Sequence, residues 1–299
     1  MLDQLAPGVW YLEAVRCLSG GHFLPSVARK QIKRKKAWGL RPRVLVLAEQ
    51  PCAGLGWGIA RECRGAKVHT AVVGDKNGDD EGGDGWRSHR GPSNHRTVVL
   101  EDLTALPFPD ASFDVVTSRS LHMYLKVQSY DSALREIYRV LRPGGILHFS
   151  VMDASIRLSV NALFAADLEE GGYDTHPTKH FPKHVRQAGF AEIKSMKLFL
   201  PLSGSTGSRN PTSTTSTTSD VNEMAGLVAS IDWERWILKL CIEQEKKSED
   251  VLADVAIALA EARRNGKGQG SEDGQGGEQA GPGVGWNVLV GWARKGWCV

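Results

Sequence analysis

Short apolar runs separated by segments of helical periodicity dominate the first two thirds of the chain. Residues 43–48 (RVLVLA) form a continuous apolar run, as a parallel strand covered on both faces does. Similar runs occur at 67–73, 97–100, 113–117 and 146–151. The pattern therefore predicts five strands of a parallel sheet.

Helical spacing fills the gaps between these runs. Residues 130–141 place four apolar side chains on one helical face: Leu134, Ile137, Tyr138 and Leu141. Pro143-Gly144-Gly145 predicts the end of that helix before the fifth strand. A helix near 179–188 and a sixth strand at 192–200 follow. Alternating strands and helices indicate an α/β fold with a mostly parallel sheet.

The C-terminal third predicts helices at 222–246 and 249–264 and a last strand at 286–292 (WNVLVGW). We interpret residues 201–284 as a helical insertion in a single domain whose core is 41–200 and 285–297, after an N-terminal segment, 1–40. In the insertion, Trp233 and Trp236 sit at helical spacing, which favours packing over a substrate lid. Three Gly-, Ser- or Thr-rich segments are expected to be loosely ordered: 76–94, 203–220 and 265–285.

Candidate ligand residues follow the strands, because open parallel sheets bind ligands beyond the carboxyl ends of their strands. After the first strand, Gly54, Gly56 and Gly58 form G-x-G-x-G before a helix expected to start near Gly58. The amino end of that helix suits a carboxylate, and Asp75 after the second strand suits a ribose hydroxyl pair. Turn glycines without a ligand remain the alternative.

The third strand ends in Glu101-Asp102-Leu103, and residues 105–116 read ALPFPDASFDVV. Together with LREIYRVLRPGGILHFS at 134–150, this segment resembles the class I S-adenosylmethionine-dependent methyltransferases that include the ubiquinone and menaquinone C-methyltransferases. The stretches SVMDA, GGYDTHPTK and GWARK also resemble a group of fungal proteins of this kind. The broad resemblance covers residues 43–200.

The resemblance implies a seven-stranded Rossmann-like sheet with an antiparallel last strand and S-adenosylmethionine as cofactor. It assigns Gly54 and Gly56 to the methionine end, Asp75 to the ribose, Asp102 and Leu103 to the adenine, and Ser118 to the strand-four tip. The first motif departs from the family. Four residues, 48–51 (AEQP), separate strand one from the expected glycines, so we align them as an insertion.

Methyl transfer depends mainly on alignment, so a catalytic base is optional. His122, after strand four, is the candidate base, and packing on the next helix is the alternative. Asp153 either orients a substrate hydroxyl or caps a helix. His176, His180 and His184 have the i, i+4 spacing of metal ligands, but Pro177 and Pro182 are expected to interrupt the helix, so no metal is expected.

Composition limits the partners. The net charge of +3 gives no support to a nucleic-acid partner, and no apolar run is long enough for a membrane partner. Five scattered cysteines and an N-terminus without a signal-peptide pattern favour a cytoplasmic protein. The basic run RKQIKRKK (Arg29 to Lys36) fits a nuclear-import signal, a phosphate-contacting patch or a solvated helix.

These features support two main hypotheses. The first is a methyltransferase acting on a small molecule, and the second is a non-catalytic relative that lost its cofactor through the altered first motif. A dinucleotide-dependent oxidoreductase fits less well, because the glycine spacing is not G-x-G-x-x-G and no Tyr-x-x-x-Lys pair follows strand five.

Overall fold

The chain folds around one seven-stranded sheet. The computed structural model describes residues 2–47, 54–74, 91–154, 161–202, 216–245, 257, 260 and 285–297. The strands are β1 (Arg43–Leu47), β2 (Lys67–Val73), β3 (His95–Leu100), β4 (Phe113–Ser118), β5 (Leu141–Met152), β6 (Phe190–Pro201) and β7 (Gly285–Lys295).

Helices connect these strands. They are α1 (Leu2–Leu18), α2 (Ser26–Ala37), α3 (Gly54–Glu62), α4 (Leu121–Tyr124), α5 (Tyr130–Val140), α6 (Asn161–Glu170), α7 (Pro177–Gln187) and α8 (Ser216–Glu243), with a 3-10 turn at Val127–Ser129. None of these described helices is both long and apolar enough to cross a membrane.

The strand order is β3-β2-β1-β4-β5-β7-β6. Six strands run parallel and the last, β7, is antiparallel, which confirms the predicted α/β class and sheet. Parallel ladders join β1 to both β2 and β4, with Val44 opposite Val68 on one side and Val115 on the other. Strand β1 is therefore an inner strand of the sheet, hydrogen-bonded on both sides.

Each face of the sheet buries its own apolar cluster, because alternate residues of a strand point to opposite faces. On one face, Val116 joins Leu134 and Ile137 of α5. On the other, Val115 joins Ala28 and Ile32 of α2 together with residues of α3. All of these side chains are buried, which explains why the strands read as continuous apolar runs.

A buried carboxylate lies among the elements at the amino ends of β1 and β4. Asp114 is fully buried, and its Oδ2 accepts hydrogen bonds from the Arg43 backbone N–H at 2.9 Å and the Arg142 guanidinium at 2.8 Å. Its Oδ1 lies 3.6 Å from Lys35 Nζ on α2. One side chain thus ties β1, α2 and the start of β5 to β4.

A second ionic contact holds the loop that carries the LPFPD sequence. The Arg139 guanidinium on α5 makes two hydrogen bonds with the Glu136 carboxylate, at 2.7 and 2.8 Å. It also donates to the carbonyls of Leu106 at 3.0 Å and Phe108 at 2.8 Å. Glu136 in turn accepts from the Leu106 N–H at 2.9 Å. The LPFPD segment therefore owes its shape to residues of α5.

The described chain divides into two compact units. The first comprises residues 1–151, 177–197 and 289–299, and the second residues 152–176 and 198–288. Within the second unit, Trp233 and Trp236 are buried and both pack edge-on against Phe164. The Trp233 indole N–H donates to the Ala154 carbonyl at 3.0 Å. The predicted packing role of these two tryptophans is confirmed, whereas the single-domain organisation stays a prediction.

Several predicted boundaries change. Helix α7 runs through Pro182, so the expectation that the prolines interrupt it was wrong: Pro177 occupies the first helical position, where no N–H is needed. Strand β5 begins at Leu141, before the Pro-Gly-Gly sequence, because Leu141 already pairs with Phe113. Helix α8 starts at Ser216, inside a segment expected to be loosely ordered. Most of the predicted helix at 249–264 lies outside the described residues.

Replacing Asp114 with alanine should lower the free energy of unfolding by about 3 kcal/mol, because it leaves Arg142 and Lys35 without their buried partner. Urea denaturation at pH 7 measures this. Asp110→Ala is the matched control: Asp110 also pairs with an arginine, but its side chain is 78% exposed, so a loss below about 1 kcal/mol is expected. Equal losses in the two variants would contradict the role given to Asp114.

Candidate functional site

The carboxyl ends of β1 and β4 lie side by side at the point where the strand order reverses. From β1 the chain moves outward to β2 and then β3, and it returns to the other side of β1 with β4. Such a reversal opens a crevice beyond the strand ends, where open α/β sheets bind ligands. Among the described residues, α3 comes after β1, Gly74 follows β2 and residues 101–103 follow β3. Ser118–Ser120 form the end of β4 and the two residues after it.

Helix α3 begins at Gly54, so the expected start near Gly58 was wrong and all three glycines are helical. Each glycine allows a close approach. A Cβ on Gly54 would overlap Leu12 of α1, one on Gly56 would overlap the Thr70 hydroxyl of β2, and one on Gly58 would overlap Phe23. Packing is therefore one sufficient reason for each glycine, and the assignment of Gly54 and Gly56 to the cofactor stays a prediction.

Beneath Gly56, two polar side chains join β2 and β3. Thr70 Oγ1 and His95 Nε2 are 2.8 Å apart, and the His95 ring contacts Trp57 edge-on. Desolvation lowers the pKa of His95. This pair could not be predicted from the sequence, because Thr70 and His95 come together only through the parallel pairing of the two strands.

Two exposed acidic residues, Glu101 and Asp102, follow β3. Asp102 Oδ1 accepts hydrogen bonds from the Thr104 backbone N–H at 2.5 Å and the Thr104 hydroxyl at 2.6 Å. The Thr104 hydroxyl holds the pKa of Asp102 below its ordinary value. Leu103 is buried in the core, so only its backbone can face a ligand. A depression of about 320 Å³ borders this segment, lined by Val98–Asp102, Ala105 and Pro107.

The tip of β4 is buried and polar. Ser118 is fully buried, and its hydroxyl accepts from the Ser120 N–H at 3.3 Å. His122, in the short helix α4, is 1% exposed. Burial lowers the pKa of His122 to about 3, so the ring is neutral at pH 7 and weakly basic. The expectation that His122 titrates near neutral pH is contradicted by its burial, and packing is the better interpretation of this histidine.

A second buried histidine lies on the neighbouring strand pair. Thr117 Oγ1 and His148 Nδ1 are 2.9 Å apart, at paired positions of β4 and β5. Burial, together with the nearby Arg119 cation, lowers the pKa of His148 to about 3. The hydroxyl and the neutral ring therefore form a buried polar contact between β4 and β5.

Several predicted site residues are not located by the structure. Asp75 and residues 48–53, which contain the four-residue insertion, lie outside the described residues. Gly74, next to Asp75, is described, and a Cβ added to it would meet nothing within 4 Å. Within the part of the chain that the structure describes, no three His, Cys, Asp or Glu side chains are close enough to share a metal ion.

The described residues fit S-adenosylmethionine at three places. Helix α3 is the next described element after β1, and the first N–H groups of a helix suit a carboxylate. No described atom lies within 4 Å of a Cβ placed on Gly74 at the end of β2, and the Asp102 carboxylate is exposed at the end of β3. Because β1, β2 and β3 are parallel neighbours, these three features lie at the carboxyl ends of adjacent strands.

Residues 84–149 match the family model described as "Methyltransferase domain". This match supports the predicted class I S-adenosylmethionine-dependent methyltransferase family, whose cofactor is S-adenosylmethionine. The match includes Asp102, Leu103, Ser118 and His122.

Named relatives of this methyltransferase family match over part of their length. The chain is 32% identical over 94 residues to phosphoethanolamine N-methyltransferase 3 of Arabidopsis thaliana, covering 31% of this chain and 19% of that protein. It is 36% identical over 126 residues to the ubiquinone/menaquinone biosynthesis C-methyltransferase UbiE of Xanthomonas oryzae, covering 35% of this chain and 49% of that protein. The chain thus spans from a fifth to half of these relatives.

Solved structures of similar fold include the Haemonchus contortus phosphoethanolamine N-methyltransferase 2 in complex with phosphomonomethylethanolamine and S-adenosylhomocysteine. Its TM-score is 0.45 at 16% identity, over 95% of this chain and 56% of that chain. The [4+2]-cyclase SpnF gives a TM-score of 0.47 at 18% identity, over 91% of this chain and 82% of that chain.

The packing and ligand roles of Gly56 can be separated with a double-mutant cycle. Gly56→Ala should destabilise the protein by about 1–3 kcal/mol, since its Cβ overlaps the Thr70 hydroxyl by more than the helix propensity of alanine repays. Thr70→Ala removes that hydroxyl, so Gly56→Ala/Thr70→Ala should recover part of the loss. Thermal unfolding measures the cycle. Strict additivity of the two substitutions would contradict the packing contact.

The buried histidines predict acid sensitivity. Both have folded-state pKa values of about 3 against about 6.5 in the unfolded chain, so protons bind the unfolded state more tightly. Their stabilisation is complete above pH 6.5 and declines toward pH 3, by about 1.4 kcal/mol per pH unit for each ring.

The test is urea denaturation of the wild type and His148→Gln at pH 7, 6 and 5. The variant should show a shallower loss of stability with falling pH, whatever its stability at pH 7. Thr117→Val is the control, because it removes the hydroxyl partner but keeps the buried ring. Identical slopes in the wild type and His148→Gln would refute the assignment.

Proposed function

We propose that the protein is an S-adenosylmethionine-dependent methyltransferase that methylates a small-molecule acceptor. The observation that carries this proposal is the strand order β3-β2-β1-β4. It brings the amino end of α3, Gly74 and Asp102 together at the carboxyl ends of neighbouring parallel strands. The family match and the names of the relatives support the same activity.

When bound, S-adenosylmethionine would supply a methyl group already activated by a positively charged sulfur. The protein then has mainly to align donor and acceptor, and alignment contributes about 7 kcal/mol or more to such reactions. Rigid support suits this task. The crevice is bordered by β1 and β4, whose side chains are almost all buried, so the strand ends are held in place.

The proposed contacts run across the strand ends. The first N–H groups of α3 bind the carboxylate of the methionine end, and Asp75 binds the ribose hydroxyls. The Asp102 carboxylate and the Leu103 backbone face the adenine. Because Leu103 buries its side chain, its contribution is limited to backbone hydrogen bonds. Ser118 fixes the tip of β4 through its hydrogen bond to Ser120.

We propose no residue as a general acid or base. His122 is buried and neutral with a pKa of about 3, which makes it a poor proton acceptor at pH 7. A methyl acceptor that needs no catalytic base, such as an amine or a nucleophilic carbon atom, fits this arrangement. The relatives' names include a phosphoethanolamine N-methyltransferase and a quinone C-methyltransferase, one of each kind.

A non-catalytic relative is the second candidate, since residues 48–53 depart from the family pattern. The comparisons do not favour it, because the relatives named above are methyltransferases. A cytoplasmic location, a nuclear one directed by the basic run and a fungal origin stay predictions.

Calorimetry with S-adenosylhomocysteine tests the proposal. The wild type should bind, and Asp75→Ala and Asp102→Ala should each weaken the affinity by about tenfold, or about 1.4 kcal/mol. Glu192→Ala is the matched control, because Glu192 is an exposed acid on β6, at the opposite edge of the sheet from β3.

Each result has a distinct meaning. If the wild type shows no heat of binding at millimolar ligand, the enzyme proposal is overturned and the non-catalytic candidate is favoured. Binding that neither Asp75→Ala nor Asp102→Ala weakens would show that the cofactor binds elsewhere. Gly56 variants are unsuitable for this purpose, because their packing defect would lower affinity indirectly.

A further inference from the structure

A cluster of cations and indole rings covers the surface around the end of α2. We call it the basic-aromatic surface, and its residues are Lys33, Arg34, Lys36, Trp38, Leu40 and Trp297. The two tryptophans are 61% and 58% exposed and Leu40 is 51% exposed. Large apolar side chains as open as these, set among cations, point to a binding surface.

The centre of this surface is ordered. The Arg34 guanidinium carbon lies 5.2 Å from the centre of the Trp38 ring and 5.7 Å from that of the Trp297 ring. An Arg34 N–H also donates to the Gln31 side chain at 3.0 Å. A cation held by two aromatic rings and an amide, with no acidic partner among the described residues, keeps its charge available to an anion.

The backbone explains why the apolar side chains face outward. The Trp38 and Leu40 N–H groups both bond the Lys35 carbonyl at 3.1 Å, which closes the end of α2. Gly39 between them has a φ of +73°, and a Cβ on it would meet nothing within 4 Å. The turn therefore projects into open space with Trp38 and Leu40 on either side.

Trp297 reaches the same surface from the end of the chain's last strand. Its ring lies over Gly144, where a Cβ would overlap it, and Gly144 has a φ of +72°. Glycine at this position of the Pro-Gly-Gly sequence in β5 thus serves two purposes: it allows the backbone conformation and it seats the indole. The surface is built by contacts within the first compact unit.

The charge of this surface has one sign. No Asp or Glu occurs between Glu13 and Glu49. Among the described residues, the acid that pairs with α2 is the buried Asp114, through Lys35. Lys33 and Lys36 make no ion pair with any described residue. A net charge of +3 for the whole chain understates this local field.

We propose that the basic-aromatic surface docks the protein on an anionic lipid membrane. Tryptophan and leucine side chains insert at the boundary between headgroups and acyl chains, and lysines and arginines beside them bind lipid phosphates. This surface supplies the cations from the end of α2, and the apolar side chains from the turn that follows α2 and from Trp297. Docking of this kind needs no membrane-spanning helix, so the surface revises the expectation of no membrane partner.

A single-stranded nucleic acid is the competing occupant. Such ligands follow a charged groove and stack their bases on open aromatic faces. Here both indoles lie against the Arg34 guanidinium, and exposed Leu40 offers nothing to a base or a phosphate. The combination of leucine and tryptophan on a projecting turn favours lipid. The proposal stands independently of the proposed methyltransferase activity.

Vesicle sedimentation tests the proposal with the full chain. Vesicles of phosphatidylcholine containing about one third phosphatidylserine should retain the protein at low salt, and pure phosphatidylcholine vesicles should not. Lys33→Glu/Lys36→Glu and Trp38→Ala/Trp297→Ala should each lower the partition coefficient about tenfold or more. Salt should weaken the charge contribution, because the Debye length shortens to about 3 Å at 1 M.

Matched controls come from β6. Lys197→Glu reverses an exposed cation there, and Met196→Ala truncates an apolar side chain that is 61% exposed, as Trp38 is. Both should bind vesicles as the wild type does. Circular dichroism checks the fold of each variant. If a double variant fails to fold, Lys33→Ala alone replaces the charge variant and Trp38→Ala alone replaces the tryptophan variant.

Two results would overturn the proposal. One is equal binding of the wild type and the surface variants to phosphatidylserine vesicles. The other is no vesicle binding by the wild type, together with binding of a fluorescent oligouridylate that the surface variants lose, which would assign the surface to nucleic acid instead. Loss of vesicle binding in both surface variants, with both β6 controls unaffected, supports the lipid surface.

Discussion

The buried Asp114 carboxylate is the contact on which the rest of the first unit depends. It fixes the amino end of β1 against β4 through the Arg43 N–H, and the same two strands border the ligand crevice at their other ends. Any slip of β1 relative to β4 would move the crevice. Through Lys35 the carboxylate also anchors α2. Through Arg142 it anchors the start of β5, just before the Pro-Gly-Gly sequence. The site and the basic-aromatic surface therefore share one support.

Most of the sheet could be predicted from the sequence, because a strand buried on both faces must be apolar at every position. All seven strands lie within a few residues of their predicted positions, although β6 is mostly exposed and is not an apolar run. Errors arose where one contact outweighs a local rule. Strand β5 extends back through Pro143 because Leu141 pairs with Phe113, and α7 tolerates Pro182 within a helix that buries Phe181 and Val185.

The candidate site was harder to predict, because its residue types have more than one physical use. A glycine allows either a turn or the close approach of a neighbour, and only the fold places the Thr70 hydroxyl against Gly56. Likewise, a histidine after a strand is a plausible base until its burial is known, and His122 is almost completely buried. The strand ends were identifiable from the sequence, whereas the environment of each side chain there was not.

The segment that matches the family and the proposed methionine and ribose contacts lie in different parts of this chain. The family match covers residues 84–149, which include the Arg139–Glu136 pair and the LPFPD loop that it holds. Those contacts shape the loop and the core, so the most recognisable sequence encodes structure. The methionine and ribose ends of the cofactor are assigned to Gly54, Gly56 and Asp75, all outside the match. Since the departure from the family pattern also lies there, further resemblance in the matched segment adds nothing about the methionine and ribose contacts, and a measurement of ligand binding decides them.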